Sequence, residues 1–268
     1  MCGFWARWPE RLFGSTVARS SLHAYAHPVL RIIDARTGEP AEAAPARRGL
    51  TRVHVHTEGY DTTALRVLLV ADVLFRALEL GGTPVWALLT GERQQAELRA
   101  AAATLGIRPF EDSLDVSAGL GEAQVIHVVA DGGPAPDGVR ITVAPVEQAP
   151  AAIPEGADPA VVRLALLSKR RNEPVRLDAD ALGEAAETLA RWRRAVADWA
   201  RRPSRAIPEE VRVELRTAWE DDLDVCAVLR VLWSVETSAL PEGARFETYA
   251  YADRLLGVEL TRDVGSTP

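Results

Sequence analysis

The stretch Tyr60-Asp61-Thr62-Thr63 is the first part of the chain in which residue types and spacing suggest chemistry. It lies between an alternating run at residues 51–56, typical of a strand, and a helical pattern at residues 62–80. Because α/β sheets bind ligands at the carboxyl ends of their strands, Tyr60 and Asp61 are candidates to line a pocket. Asp61 is equally suited to cap the helix, since its carboxylate accepts a hydrogen bond from a free backbone N–H. The sequence leaves both roles open.

Two histidines, His54 and His56, lie on one face of this predicted strand, opposite Val53 and Val55. Their spacing is compatible with a metal ion, for which imidazole is a common ligand. Two imidazoles alone do not make a metal site, and the two cysteines of the chain are far apart in the sequence. We therefore interpret both histidines as ordinary residues, facing solvent or satisfied within the fold, and predict no metal ligands.

The elements around these residues predict an α/β unit. Predicted strands lie at residues 29–33, 51–56, 84–89 and 124–130, and predicted helices at residues 62–80 and 92–105. We interpret the Ala- and Pro-rich residues 38–48 as a loop. Strands that alternate with helices in this order indicate a right-handed parallel sheet.

The second half of the chain is predicted to be helical after the Pro-rich residues 149–159. Apolar residues recur at steps of three and four within residues 182–199, which predicts a packing stripe along one helix. Further helices are predicted from about Pro208, Asp222 and Ala244, so this half is expected to form an antiparallel bundle. The predicted domains are residues 1–154 and residues 155–268. We interpret the basic cluster Lys169-Arg170-Arg171 as a solvated loop.

Several short segments occur in an order that is typical of a known family. They are residues 30–38, Tyr60-Asp61 followed by Asp72-Val73-Leu74-Phe75-Arg76-Ala77-Leu78, residues 158–168 and residues 251–260. In this order they resemble the cysteinyl-tRNA synthetases and, equally, their relative that ligates cysteine to glucosaminyl-inositol in mycothiol synthesis. The resemblance implies a Rossmann-like parallel sheet with helices, of the class I synthetase type, followed by an α-helical bundle. It also implies activation of cysteine by ATP.

The first ATP-handling motif of that family is absent from this chain. The motif, His-Ile-Gly-His or a close variant, follows the Tyr-Asp pair at a helix N-terminus, where backbone N–H groups favour phosphate. Here Thr62, Thr63 and Ala64 occupy this interval, without the histidines or the glycine.

The second motif, Lys-Met-Ser-Lys-Ser, aligns with Asp137-Gly138-Val139-Arg140-Ile141-Thr142-Val143-Ala144. By this resemblance Arg140 stands in for the first lysine and Thr142 for the first serine. Val143 replaces the lysine that would meet the phosphates, so the charge that stabilises a transferring phosphoryl group is reduced.

The zinc site implied by the resemblance is also incomplete. The family binds zinc through Cys, Cys, His and Glu, and the first ligand falls at Val55, or at His56 if the strand slips by one residue. The other ligands belong to a segment that is missing between Asp115 and Gln124. A single candidate ligand does not make a zinc site, so zinc is not expected.

Two main functions remain open on these observations, with a tRNA-binding accessory protein as a third and weaker alternative. The leading hypothesis is a degenerate cysteinyl-synthetase-like protein, catalytically silent and without a cofactor, which acts by binding a small molecule or a protein partner. The alternative is an ATP-dependent ligase that joins cysteine or another amino acid to a small amine. The candidate binding residues are Tyr60, Asp61, Thr62, Thr63, Arg140 and Thr142. No catalytic residue is predicted.

The composition narrows the range of expected binding partners further. The net charge of −7 argues against a broad phosphate-binding surface, so tRNA is not an expected partner. No run approaches the roughly 18 apolar residues that would span a bilayer, and residues 1–19 lack the apolar core of a secretory signal. No membrane association is expected, and the cytoplasm is the expected compartment.

Overall fold

The computed structural model describes residues 30–44, 50–91, 93–112, 124–134, 136–148 and 156–266 of the 268-residue chain. Within these residues the strands are β1 (Arg31–Ile33), β2 (Pro40–Glu42), β3 (Thr51–Thr57), β4 (Val85–Gly91), β5 (Glu111–Asp112), β6 (Val125–Ala130), β7 (Val139–Val143), β8 (Val146–Glu147) and β9 (Val175–Arg176). The helices are α1 (Thr62–Leu80), α2 (Gln95–Thr104), α3 (Pro159–Leu166), α4 (Ala179–Trp199), α5 (Glu209–Glu220), α6 (Val225–Thr237) and α7 (Glu242–Leu256).

Five strands form a parallel sheet in the order β5-β4-β3-β6-β7. From the central strand β3, the chain passes through α1 to β4 and through α2 to β5, and then returns to the other side of β3 as β6. Such a reversal of strand order opens a crevice at the carboxyl ends of the two strands that flank it. The predicted fold class, a Rossmann-like α/β sheet of the class I synthetase type followed by helices, is confirmed.

Helix α1 has the bounds that the sequence predicts. Asp61 is its N-cap, and Gly81 follows its last residue as the C-cap. Most of the helix is buried, because it packs on β3 and β6 and is covered by α2 and α7. A helix enclosed on several sides needs apolar residues around most of its circumference, which explains the long apolar run Val67-Leu68-Leu69-Val70.

The structure differs from the sequence prediction in several strands. Residues 38–48 are not simply a loop, because β2 lies within them and pairs antiparallel with β1. Strand β7 was not predicted, although it pairs with β6 along its whole length. Some predictions concern residues outside the described ones. They are the start of a strand at residue 29, the start of a helix at residue 92 and the lack of a secretory signal in residues 1–19. The segment predicted to be missing between Asp115 and Gln124 also lies largely outside the described residues.

The second half contains the helices that the sequence predicts and, in addition, helix α3 and strand β9. Strand β9 pairs in parallel with β8, so a two-stranded ladder joins the helical part to the end of the sheet domain. The prediction of a solvated basic loop is wrong for Arg171, which is only 8% exposed. Its guanidinium donates to the carbonyls of Ile33 and Thr142 and pairs with Asp222. None of the helices in the described part of the chain is long and apolar enough to cross a bilayer.

A buried ion pair connects α1 to the helical half. Arg163 of α3 and Asp72 of α1 are both fully buried, with 2.5 Å between Nη2 and Oδ2. Arg163 also donates through Nε to the carbonyl of Leu256, 2.6 Å away, at the end of α7. Arg76 completes the group with a 2.8 Å bond from Nε to Asp72. Burial lowers the pKa of Arg163, while the Asp72 carboxylate opposes this shift and favours the charged guanidinium.

We expect Arg163→Met to lower the free energy of unfolding by about 3 kcal/mol or more, because it removes one partner of a buried ion pair. The matched control is Arg202→Met, whose guanidinium is 66% exposed in its pair with Glu242 and should cost at most about 1 kcal/mol. Urea unfolding followed by circular dichroism measures both. Equal losses for the two variants would contradict the central role of the buried pair.

Candidate functional site

A cleft of about 470 Å³ lies at the carboxyl ends of β3, β4 and β6. It is lined by His56, Thr57, Glu58, Gly59, Asp61, Thr63, Ala64, Val67, Thr90, Gly91, Arg93, Val129, Ala130, Gly133 and Pro134. The cleft therefore occupies the crevice where the strand order reverses, between the end of β3 and the end of β6. Its volume is sufficient for a small molecule.

The N-terminus of α1 opens into this cleft but is partly closed by its own residues. Asp61 Oδ1 accepts a 2.6 Å hydrogen bond from the backbone N–H of Ala64. The Thr63 hydroxyl accepts a 3.1 Å bond from the backbone N–H of Val146. A carboxylate thus stands at the end of the helix where an anion would otherwise be favoured.

The charged side chains of the cleft are mainly acidic. Among the described residues that line it, Glu58 and Asp61 carry carboxylates and Arg93 carries the one guanidinium. Arg93 Nε is 3.3 Å from the carbonyl oxygen of Glu58 and donates to it. One cation and two carboxylates do not complement a triphosphate, which needs several donors or cations around its oxygens.

The candidate binding residues do not all meet in this cleft. Asp61 and Thr63 line it, whereas Tyr60 packs against the hydrophobic core and Thr62 begins α1 beside it. Arg140 and Thr142 lie on β7, which is separated from β3 by β6.

Arg140 nevertheless acts near the cleft through its charge. Burial is the main cause that lowers the pKa values of His56 and His127, and the Arg140 guanidinium adds to it. The backbone of β7 is anchored separately, since the Arg140 N–H donates to Asp34 Oδ1 at 3.0 Å. The Thr142 carbonyl accepts a hydrogen bond from Arg171.

A third histidine joins the two that the sequence placed on β3. His127 of β6 lies beside His54 in the parallel register, on the sheet face opposite the buried Val53 and Val55. His56 Nε2 and His127 Nδ1 are 2.9 Å apart and share a hydrogen bond. The three imidazoles form a cluster with potential ligand atoms within 4.8 Å of one another. The sequence analysis missed His127, although the alternation of β6 would have shown which face it occupies once its register with β3 was known.

The imidazoles of this histidine cluster are held in the neutral form. Burial lowers the pKa of His56 to about 4, helped by the neighbouring His54, His127 and Arg140. Burial also lowers the pKa of His54 and that of His127. A neutral imidazole keeps a lone pair that can accept a hydrogen bond or bind a metal ion.

The family resemblance places its first zinc ligand at Val55 or at His56, and these two residues lie on opposite faces of β3. Val55 is fully buried in the core under α1 and offers no donor atom. His56, the alternative position, lines the cleft. Of the two positions, His56 therefore carries a metal-binding side chain on the side of the ligand crevice.

The sheet order, the crevice and the helical half together define an α/β protein of the class I synthetase type. The chain is similar to proteins named L-cysteine:1D-myo-inositol 2-amino-2-deoxy-alpha-D-glucopyranoside ligase. It is 41% identical over 111 residues to that of Streptomyces griseus, covering 40% of this chain and 26% of the relative. The matches to Streptosporangium roseum and Parafrankia sp. are 38% identical over 109 residues and 37% identical over 115 residues.

The similarity is confined to part of each protein. The second and third matches each cover 39% of this chain, with 26% and 25% of the relatives. The chain therefore spans about a quarter of the length of the curated relatives it matches. No protein family model matches the chain. The resemblance to cysteine-ligating class I enzymes that the sequence indicates is confirmed at this level.

We expect the stability of the metal-free protein to fall as the pH decreases from about 6.5 to about 4. In this window the imidazole of His56 binds a proton in the unfolded chain but not in the folded one, so protonation favours unfolding. Thermal unfolding in the presence of a chelator measures the effect. The variant His56→Gln cannot titrate and should show a shallower pH dependence than the wild type between pH 5 and 7. Parallel pH profiles for the two proteins would contradict the assignment.

Proposed function

We propose that the cleft binds a small amine-bearing molecule and does not activate it with ATP. The observation that carries this proposal is the charge of the cleft. Among the described lining residues, Glu58 and Asp61 carry carboxylates and Arg93 alone carries a guanidinium. An ammonium group is complementary to such a wall, because charge-assisted hydrogen bonds to carboxylates are among the stronger ones.

The names of the relatives support this ligand class. They are named for L-cysteine and for a 2-amino-2-deoxy-glucopyranoside of inositol, and both compounds carry an amine. A cleft on a related scaffold that retains acidic groups fits either amine. Catalytic silence is supported by the eroded phosphate motifs and by the carboxylate of Asp61 at the N-terminus of α1. Binding of a protein partner and a cytoplasmic location stay predictions from the sequence.

A second candidate is an ATP-dependent amino-acid ligase. The observation in its favour is that the relatives are named as ligases. In this alternative Thr62, Thr63, Arg140 and Thr142 handle the phosphates. The position of Arg140 and Thr142 on β7, outside the residues that line the cleft, favours the first candidate.

Pyrophosphate exchange separates the two candidates directly. We expect no amino-acid-dependent exchange of label from pyrophosphate into ATP, with cysteine or any other amino acid. Stabilising the transferring group needs several cations, and among the described residues that line the cleft only Arg93 carries one. A cysteinyl-tRNA synthetase assayed in parallel serves as the positive control. Exchange that depends on one amino acid would establish the ligase and reject catalytic silence.

Asp61 can be tested for its charge separately from its capping role. Asn caps a helix as well as Asp does, so Asp61→Asn should leave the stability nearly unchanged, whereas Asp61→Ala should cost about 0.5–2 kcal/mol. Both variants should bind cysteine or glucosamine roughly tenfold more weakly than the wild type, since a charge-assisted hydrogen bond is lost. Calorimetric titration with each amine measures the affinity. Unchanged affinity in Asp61→Asn would contradict the role of the carboxylate, and tight binding of ATP to the wild type would contradict the ligand class.

A further inference from the structure

The histidine cluster of His54, His56 and His127 has the arrangement of a metal site built on a sheet. His54 and His56 are two residues apart on β3 and therefore project from the same face. His127 on β6 stands next to His54 in the register of the parallel pair. Three imidazoles are thus presented by two adjacent, hydrogen-bonded strands, which are the most rigid elements on which ligands can be placed.

The spacing of the donor atoms suits a small divalent cation. Nitrogen ligands of zinc lie at about 2.0–2.1 Å from the metal, so two of them in a tetrahedral site are roughly 3.3 Å apart. The potential ligand atoms of the histidine cluster lie within 4.8 Å of one another, and His56 Nε2 is 2.9 Å from His127 Nδ1. The first figure is an upper limit for the whole cluster and the second is slightly shorter than the tetrahedral separation, so the three imidazoles are close enough to share one ion.

Neighbouring groups orient two of the imidazoles. The backbone of Asp137 hydrogen-bonds to the ring of His127, and Gly138 leaves room for it, because a Cβ there would be 2.9 Å from His127 Cδ2. His54 Nε2 is 2.5 Å from the hydroxyl of Thr90. Metal-binding histidines are commonly fixed in this way, by a hydrogen bond that one ring N–H donates to a backbone or side-chain oxygen.

We propose that His54, His56 and His127 bind a zinc-class divalent cation and leave one coordination position open towards the cleft. Three nitrogen ligands with an open fourth position are the arrangement of catalytic or ligand-binding zinc, whereas structural zinc is closed by four protein ligands. The open position follows from His56, which lines both the cleft and the histidine cluster. Imidazole is a suitable ligand for zinc, copper, iron and nickel, and the absence of thiolates from the cluster disfavours Cu(I).

The site differs from the one that the family resemblance implies. That site uses two cysteines, a histidine and a glutamate, and only its first position falls near this cluster. The charge of Arg140 opposes a cation here. The geometry favours the ion despite that charge, because adjacent strands present the three imidazoles with their ligand atoms within 4.8 Å of one another. The inference does not rest on the proposed function, since it concerns the metal alone.

The test is calorimetric titration of the full chain, stripped of metal by a chelator, with zinc chloride. We expect one equivalent to bind, and cobalt chloride to give the visible absorption bands of a four-coordinate Co(II) site. The variants His54→Asn and His56→Asn should each weaken zinc binding by more than about 100-fold, which is the upper end of the loss when only an outer-shell partner is removed. Both residues are half-buried, so folding is checked by circular dichroism without metal.

The control uses the remaining two histidines of the chain. The double variant His23→Asn, His27→Asn should bind one equivalent of zinc as tightly as the wild type. The proposal is overturned if the wild type shows no saturation below a Kd of about 1 mM. It is equally overturned if His54→Asn and His56→Asn bind zinc like the wild type, or if only the control variant loses binding.

Discussion

The buried ion pair between Asp72 and Arg163 is the interaction on which the arrangement of sheet and helices depends. Arg163 donates to the carbonyl of Leu256 at the end of α7 and, at 3.3 Å, to that of Leu105 just after α2. Carbonyls at helix C-termini have no partner within the helix, so a guanidinium between two such ends satisfies both and meets the negative ends of the helix dipoles. Asp72 in turn neutralises the guanidinium from α1.

The end of α7, beside this ion pair, requires a glycine at position 257. Gly257 follows the last residue of α7 with φ of +62°, the left-handed conformation that ends many helices. A Cβ at this position would lie 3.0 Å from Arg76 Cζ and 3.1 Å from Arg163 Nη2. The helix end and the arginines therefore depend on each other, because a Cβ at Gly257 would force the two guanidiniums to move by a few tenths of an ångström.

Two other arginines also donate hydrogen bonds to several backbone carbonyls at once. Arg66 of α1 is buried and donates to the carbonyls of Ala144, Arg170 and Glu173. Arg171 donates to the carbonyls of Ile33 and Thr142, which joins the β1–β2 hairpin to β7. Buried carbonyls outside regular elements need donors, and the fork of a guanidinium reaches several at once. The loops that carry these carbonyls are consequently held against α1 without forming a further apolar layer.

The sequence predicted the elements whose signals are local. The bounds of α1 follow from Asp61, Gly81 and an unbroken helical period, and β3 follows from its alternation. The prediction from the sequence failed where a residue's environment is set by partners that are distant in the chain. Charged residues are normally exposed, so nothing local indicated that Arg171 would be buried by partners on β1, β7 and residue 222. His127 was missed for the same reason, since it lies 71 residues from His56 and meets it only through the register of β3 and β6. The division into two domains near residue 155 stays a prediction.

The charges around the crevice determine which ligands this scaffold can hold. Phosphate recognition at a helix N-terminus needs free N–H groups and nearby cations, and here Asp61 supplies a carboxylate instead. The adjoining sheet face carries neutral imidazoles whose lone pairs favour a metal ion over a phosphate. The carboxylates of the cleft and a metal ion bound beside it at His56 would together hold a molecule that presents an ammonium group to the carboxylates and a lone-pair donor to the metal ion. Neither feature helps to bind a triphosphate, so the same charges that disfavour a nucleotide at this crevice favour a different ligand.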